Sequence, residues 1–297
     1  MERTSNLTNP ALEKTSGWIN GFIGVVIFSG SLPATRVAVL EFDPVFLTVA
    51  RATIAGILAL CLLVLLKSKR PERSQLYPLL IVAIGVVVGF PLLTALALQH
   101  VTSAHSIVFL GMLPLATAGF GVLRGGEHPQ PAFWLFSVLG CGLVVAFALN
   151  QGLTASPKGD VLMLLAVIVC GLGYAEGAKL ARVLGGWQVI SWALALSLPV
   201  MAPLAWLLAP SSFASIDTPA WLGLGYVSFF SMFIGFIFWY RGLAQGGIAA
   251  VGQLQLLQPF FGLALAAILL HETVSIGMFS VTGGVILCVI AAKRFAK

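Results

Sequence analysis

The chain has little charge. Of its 297 residues, 9% are Asp, Glu, Lys or Arg, while 59% are hydrophobic. Soluble domains carry about 25% charged and about 45–50% apolar residues, so a soluble globular fold is excluded. Cysteine is sparse too. Cys61, Cys141, Cys170 and Cys288 all fall inside apolar runs with no CxxC pair. That excludes a disulfide framework and a zinc-ligand set and leaves small buried hydrophobes. HExxH, GxxxxGKS/T and GxSxG patterns are missing, and no acidic pair stands at metal spacing. ATP-driven work within the chain and hydrolytic chemistry are therefore not expected, and no catalytic residue, metal or cofactor is assigned. Long polar stretches are absent as well. The longest are Lys67–Gln75, Asn150–Gly159 and Pro210–Thr218, none long enough for a soluble domain. The net charge of +6 does not argue for a nucleic-acid partner, because the basic residues lie between apolar runs and form no patch.

What the sequence does contain is a series of apolar runs, each about the 20 residues that a helix needs to cross the hydrocarbon. In lipid every backbone group must be satisfied within its own segment, and barrel strands would be about half this length and alternate in polarity. The runs predict ten transmembrane helices near residues 18–37, 45–66, 77–98, 103–123, 132–149, 160–180, 188–208, 220–240, 248–269 and 275–292. The first sixteen residues are polar, so the first span is expected to serve as the insertion signal. With the N-terminus in the cytoplasm, Arg3, Lys14, Lys67, Lys69, Arg70, Arg73, Arg124, Lys179, Arg182, Arg241, Lys293, Arg294 and Lys297 fall at cytoplasmic ends or loops. Arg36 and Lys158 fall outside, and Arg51 lies within a span. This bias supports ten spans with both termini cytoplasmic.

The chain also repeats itself. Gly126-Glu127-His128 followed by Phe136-Ser137-Val138-Leu139-Gly140 is echoed by His271-Glu272-Thr273 and Phe279-Ser280-Val281-Thr282-Gly283. Pro114 and Pro259 precede Glu127 and Glu272 by the same interval. The expected organisation is two five-helix repeats, 1–150 and 151–297. An odd number of spans per copy makes the repeats inverted, which is the architecture of secondary transporters.

Polar and helix-breaking residues inside spans mark candidate functional positions. Burying a charge costs at least about 2.5 kcal/mol on insertion scales, so the few that occur are informative. Glu176 and Lys179 stand three apart on one face of the sixth span and are expected to pair, with Glu176 as a gate or a partner for a substrate amine. Lys179 is either functional or a snorkelling interface residue. Arg51 is expected to reach Glu41 or Asp43 near the outer surface, a structural role preferred slightly over direct contact with substrate. Gln253, Gln255 and Gln258 occupy the ninth span, either bonding between helices or lining a pore. Pro114 and Pro259 are expected to shape a central cavity by kinking their helices. Ser29-Gly30-Ser31-Leu32-Pro33 interrupts the first span. Gly85/Gly89 and Gly173/Gly177 have GxxxG spacing and predict close helix contact. Tyr174 is a pocket candidate, whereas Trp239 and Tyr240 are read as interfacial belt residues. His100 and His105 are placed in a solvated outer turn.

Arg51, the stretch from Pro114 through Gly126-Glu127, the stretch from Pro259 through His271-Glu272, and the glycine-rich span from Gly277 to Gly284 together resemble the drug/metabolite transporter superfamily, EamA type. The resemblance covers nearly the whole chain, and His271 stands where the family usually has glycine. Within the superfamily the chain is most similar to bacterial amino-acid exporters, including those for aromatic amino acids. The resemblance implies a bacterial inner-membrane carrier that moves amino acids or related metabolites outward through a central cavity.

The expected protein is thus an all-α integral membrane exporter, not an enzyme, working by alternating access as a monomer or weak homo-oligomer, with a small molecule and the bilayer as partners. Candidate substrate-binding residues are Ser29, Ser31, Phe90, Tyr174, Glu176, Gln255 and Gln258. Candidate gating or structural residues are Arg36, Arg51, Glu127, Lys179, Glu272, Pro114 and Pro259. The alternatives are another cargo, a drug or nucleotide-sugar, or a membrane enzyme acting on lipid. The latter should show clustered His, Asp or Glu at one membrane face, and the sequence has no such cluster.

Overall fold

Asp43 shows how local sequence sets the helix boundaries. Its carboxylate accepts from the backbone amides of Val45 and Phe46, and Pro44 opens the helix behind it, so two of the amides without intrahelical partners are satisfied. The structure, a computed structural model, describes residues 10–101, 106, 109–150, 156–270 and 276–296. Regular structure among the described residues is helical throughout, with no strand. Helix α1 (Pro10–Ser29) leads into α2 (Ser31–Ala38), and α3 is Pro44–Leu65. Helices α4 (Arg73–Val82) and α5 (Phe90–Ala97) are joined by a π-helical stretch, Ala83–Gly89. Then come α6 (Leu113–Gly125), α7 (Pro131–Leu149), α8 (Pro157–Leu184) and α9 (Gly186–Leu207). A second π-helical stretch, Val227–Ile234, joins α10 (Thr218–Tyr226) to α11 (Gly235–Gly246). Helix α12 (Ile248–Gly252) passes through a 3-10 turn, Gln253–Leu257, into α13 (Gln258–Leu270), and α14 is Ile276–Phe295.

Among the described residues six stretches are long and apolar enough to cross a membrane: Glu13–Ala38, Pro44–Leu65, Arg73–Ala97, Pro157–Leu184, Gly186–Leu207 and Thr218–Gly246. Large side chains such as Leu65, Trp206, Leu222 and Leu287 point outward. An apolar belt of this kind has no place in water and suits a lipid surround. The chain is a multi-pass membrane protein.

Small residues let backbones touch. Helices α1 and α11 run antiparallel, with Gly17 against Gly246, Gly21 against Gly242 and Gly24 against the Trp239 backbone. A Cβ on Gly242 would stand 2.5 Å from the Gly21 nitrogen. The Gly85/Gly173 pair does the same between the first π-helical stretch and α8, as the GxxxG spacing predicts.

Several contacts join spans that the sequence repeat treats as equivalent. Pro114 and Pro259 are 145 positions apart, and the two π-helical stretches, starting at Ala83 and Val227, follow nearly the same offset. The segment pair α6 and α12 is antiparallel, since Gly125 and Gly121 approach Ile248 and Thr117 approaches Gly252. The pair α7 and α14 is antiparallel too. The Gln130 amide donates to the Phe295 carbonyl at 2.9 Å, Gly140 abuts Cys288 and Leu143 abuts Gly284.

Pro114 differs from expectation. Pro114 lies in the first turn of α6, and Pro259 is the second residue of α13, just after the 3-10 turn. Pro114 starts a helix where its missing N–H costs nothing, whereas Pro259 follows a 3-10 turn midway along the continuous helical run 248–270.

Candidate functional site

At the centre of the bundle α1, α2, α3, α5, α6, α8, α11, α13 and the two π-helical stretches surround a small cavity whose polar lining is Ser31, Thr35, Arg51, Thr94, Tyr174, Ser231 and Gln258. Phe28, Phe90, Leu110, Leu113 and Phe236 form its apolar wall. It holds about 30 Å³ of free space, room for about one water, where small-molecule sites run to about 300–1,000 Å³. The cavity is closed down. Its lining contains three pairs of residues 145 positions apart: Val86 and Ser231, Pro91 and Phe236, Leu113 and Gln258. In two of the three, the first member is aliphatic and the second polar, so the cavity is symmetric in position and asymmetric in chemistry.

Arg51 is the charged group of that lining. It is 6% exposed. Its Nη2 donates to the Val227 carbonyl at 3.2 Å and to the Ser231 hydroxyl at 3.4 Å, and its buried Nε has no acceptor. The expected partners Glu41 and Asp43 are not used. Asp43 is spent on capping α3, and the Arg51 side chain turns inward to the second π-helical stretch. Ser31 donates to Ser231 at 2.8 Å, and Gln258 donates to the Phe28 carbonyl at 3.2 Å.

Below the cavity lies an aromatic layer. Tyr174 meets Trp239 at 5.4 Å and Phe236 at 5.9 Å between ring centroids, and Phe28 meets Phe236 at 5.0 Å. Tyr240 packs on Phe236 and donates to the Gly173 carbonyl at 3.1 Å. Trp239 and Tyr240 are fully buried, which corrects their reading as belt residues. Hydropathy locates a residue along the membrane normal but not around the helix. These two face α1 and α8 instead of lipid.

Beyond the aromatic layer, toward the end that carries Lys14, Arg182 and Lys293, charged groups tie the helices together. Glu176, 1% exposed, is ion-paired with the Arg124 side chain, 43% exposed. Lys179 is exposed and takes no part, so the expected Glu176–Lys179 pair is replaced by a contact between α8 and α6. Glu127 accepts from the backbone amides of Ile248 and Ala249, both at 2.7 Å, and from Arg182 at 3.0 Å. A carboxylate at a helix N-terminus satisfies amides left without partners and favours the helix dipole. The chain can enter α12 sharply because Gly247, at φ +95°, adopts a left-handed conformation.

The candidate residues therefore divide. Ser31, Phe90, Tyr174 and Gln258 line the cavity, and so does Arg51 from the structural set. Ser29 bonds back to the Val25 carbonyl within its own helix. Gln255 is buried beside the Tyr174 hydroxyl, short of a well-formed hydrogen bond. Glu176 lies past the aromatic layer. Arg36 donates to the Leu98 carbonyl at the opposite end of the bundle. Glu272 and His105 lie outside the described residues. Sequence reasoning missed Ser231, Phe236 and Arg124. Ser231 had a signal, since it is a hydroxyl at membrane depth equivalent in the repeat to Val86.

Against known proteins, the profile of the EamA-like transporter family matches residues 15–148 and again 157–292. The chain is 68% identical to a Bacillus subtilis (strain 168) protein called "Uncharacterized transporter YdeK", over 95% of this chain and 99% of that one. It is 25% identical to "Uncharacterized inner membrane transporter YedA" of Escherichia coli (strain K12), over 70% of this chain and 68% of that one. A solved structure titled "Crystal structure of protein" matches with a TM-score of 0.77 at 18% identity, covering 94% of this chain and 98% of that one, a likeness of fold alone.

Proposed function

The chain belongs to the EamA-like transporter family, not to an enzyme class, and from that premise we propose that it exports amino acids or related small metabolites across the bacterial inner membrane. The two family matches correspond to two inverted five-helix halves that alternate access to the central cavity. The antiparallel α7/α14 pair supports inversion, because these helices are equivalent in the repeat and run in opposite senses, and α6 runs antiparallel to α12, which opens the span equivalent to its own. The Lys and Arg bias supports both termini, and the end bearing Lys14 and Lys293, in the cytoplasm. On that orientation the aromatic layer and the Arg124–Glu176 pair close the cytoplasmic side.

The observation that carries this reading is the cavity itself. Equivalent residues of both copies converge there with hydroxyls, an amide and aromatic rings, the mixture that holds a polar head and an apolar side chain. Among the described residues no carboxylate lines it, which favours uniport down the cargo gradient over coupling through a buried acid. Counterflow in proteoliposomes with a panel of labelled amino acids tests the proposal. Accumulation of at least one is expected, and it should survive collapse of proton and sodium gradients. Failure of every amino acid would refute the cargo, and loss of counterflow with the ion gradients would refute uniport.

A further inference from the structure

We infer that Arg51 is the anchor for a carboxylate on the cargo, an inference that rests on the cavity being the substrate site. A guanidinium stays protonated and offers five donors in a planar fork. Here only Nη2 is engaged, by one carbonyl and one hydroxyl, and buried Nε has no acceptor. Among the described residues no acid pairs with it: Asp43 caps α3, Glu176 pairs with Arg124, Glu127 serves α12 and Arg182, and Glu41 is exposed. A buried charge without a counter-charge is costly. Tying α3 to the Val227 carbonyl needs only one neutral donor, so that contact does not account for an arginine.

The surroundings say what the fork would hold. Ser231 lies against it and Ser31 bonds to Ser231, and Thr35, Gln258 and Tyr174 line the same cavity. Phe28, Phe90, Leu110, Leu113 and Phe236 offer an apolar bed. A cargo with a carboxylate head and an apolar body satisfies both sides. The same molecule without its carboxylate leaves the guanidinium unpaired and brings a second positive charge toward it.

Ligand protection of the purified full chain in detergent tests this without requiring transport. The probes are L-phenylalanine, phenylacetate and phenethylamine, read as shifts in thermal unfolding. Phenylalanine and phenylacetate should protect at concentrations at least about a hundredfold below any at which phenethylamine does, the scale for leaving a buried charge unpaired. Arg51→Lys keeps the charge and loses the fork, so it should fold while binding phenylacetate at least about tenfold more weakly. Equal protection by phenethylamine, no protection by either carboxylate, or unchanged affinity in Arg51→Lys would each overturn the inference. If phenylacetate protects and no amino acid moves in counterflow, the anchor stands and the amino-acid cargo falls. If amino acids move and phenethylamine competes as well as phenylalanine, transport stands and the anchor falls.

Discussion

Replacing Arg124 with alanine and replacing Glu176 with alanine break the same ion pair but should not cost the same. The Glu176 side chain is 1% exposed and the Arg124 side chain 43%. Without Arg124, a carboxylate remains deep between α6 and α8 with no counter-charge, a loss of about 3–5 kcal/mol. Without Glu176, the arginine swings into solvent and recovers its hydration, so the cost should stay near the value for exposed pairs, about 0–1 kcal/mol, plus a small packing loss. The double variant should resemble Glu176→Ala and be more stable than Arg124→Ala, since removing the acid removes the stranded charge. Thermal unfolding of the purified variants in detergent should give the order wild type, Glu176→Ala, double variant, Arg124→Ala, with the middle two close together. Equal losses in the two single variants, or a double variant no better than Arg124→Ala, would refute the burial argument. Counterflow adds the functional side. If the pair closes the cytoplasmic end, all three variants should lose flux while still inserting, and normal flux in Glu176→Ala would remove it from the gate.

Other contacts make narrower predictions. Glu127→Ala should cost about 2 kcal/mol by uncapping α12, while Arg182→Ala, whose side chain is 39% exposed, should cost under about 1 kcal/mol; similar melting losses for the two would contradict the capping role. Gly242→Ala drives a methyl into the α1 backbone and should cost roughly 1–3 kcal/mol, whereas Gly119→Ala, with nothing within 4 Å, should be neutral or slightly stabilising. Tyr240→Phe should lose about 1 kcal/mol with the buried bond to Gly173, and an unchanged melt would show that bond to be dispensable.

Much of the bundle is legible in the sequence because lipid imposes a simple rule of apolar length. Expected spans 45–66, 132–149 and 188–208 fall within a few residues of Pro44–Leu65, Pro131–Leu149 and Gly186–Leu207. The sixth and eighth spans run further, to Leu184 and Gly246, because a helix continues into the interface after its side chains turn polar. The π-helical stretches left no trace, since a shift of backbone register needs no particular side chain. Part of the cavity was visible as polar or aromatic residues at membrane depth, namely Ser31, Phe90, Tyr174 and Gln258. The partners were not. Arg124 finds Glu176 across 52 positions, and Arg51 turns away from the acids nearest in sequence, choices set by helix rotation that one-dimensional spacing does not encode.

The claim that two copies of one unit lie upside down in the membrane has a direct test in the loops. Ser68 follows the second span of the first copy, α3, and Phe213 the second span of the second, α9, 145 positions later. In a cysteine-free background, Ser68→Cys and Phe213→Cys can be probed with a membrane-impermeant thiol reagent in cells whose inner membrane is intact. The inverted arrangement predicts labelling of the cysteine at 213 in intact cells and of the cysteine at 68 only after permeabilisation. Labelling of both from the same side would contradict it.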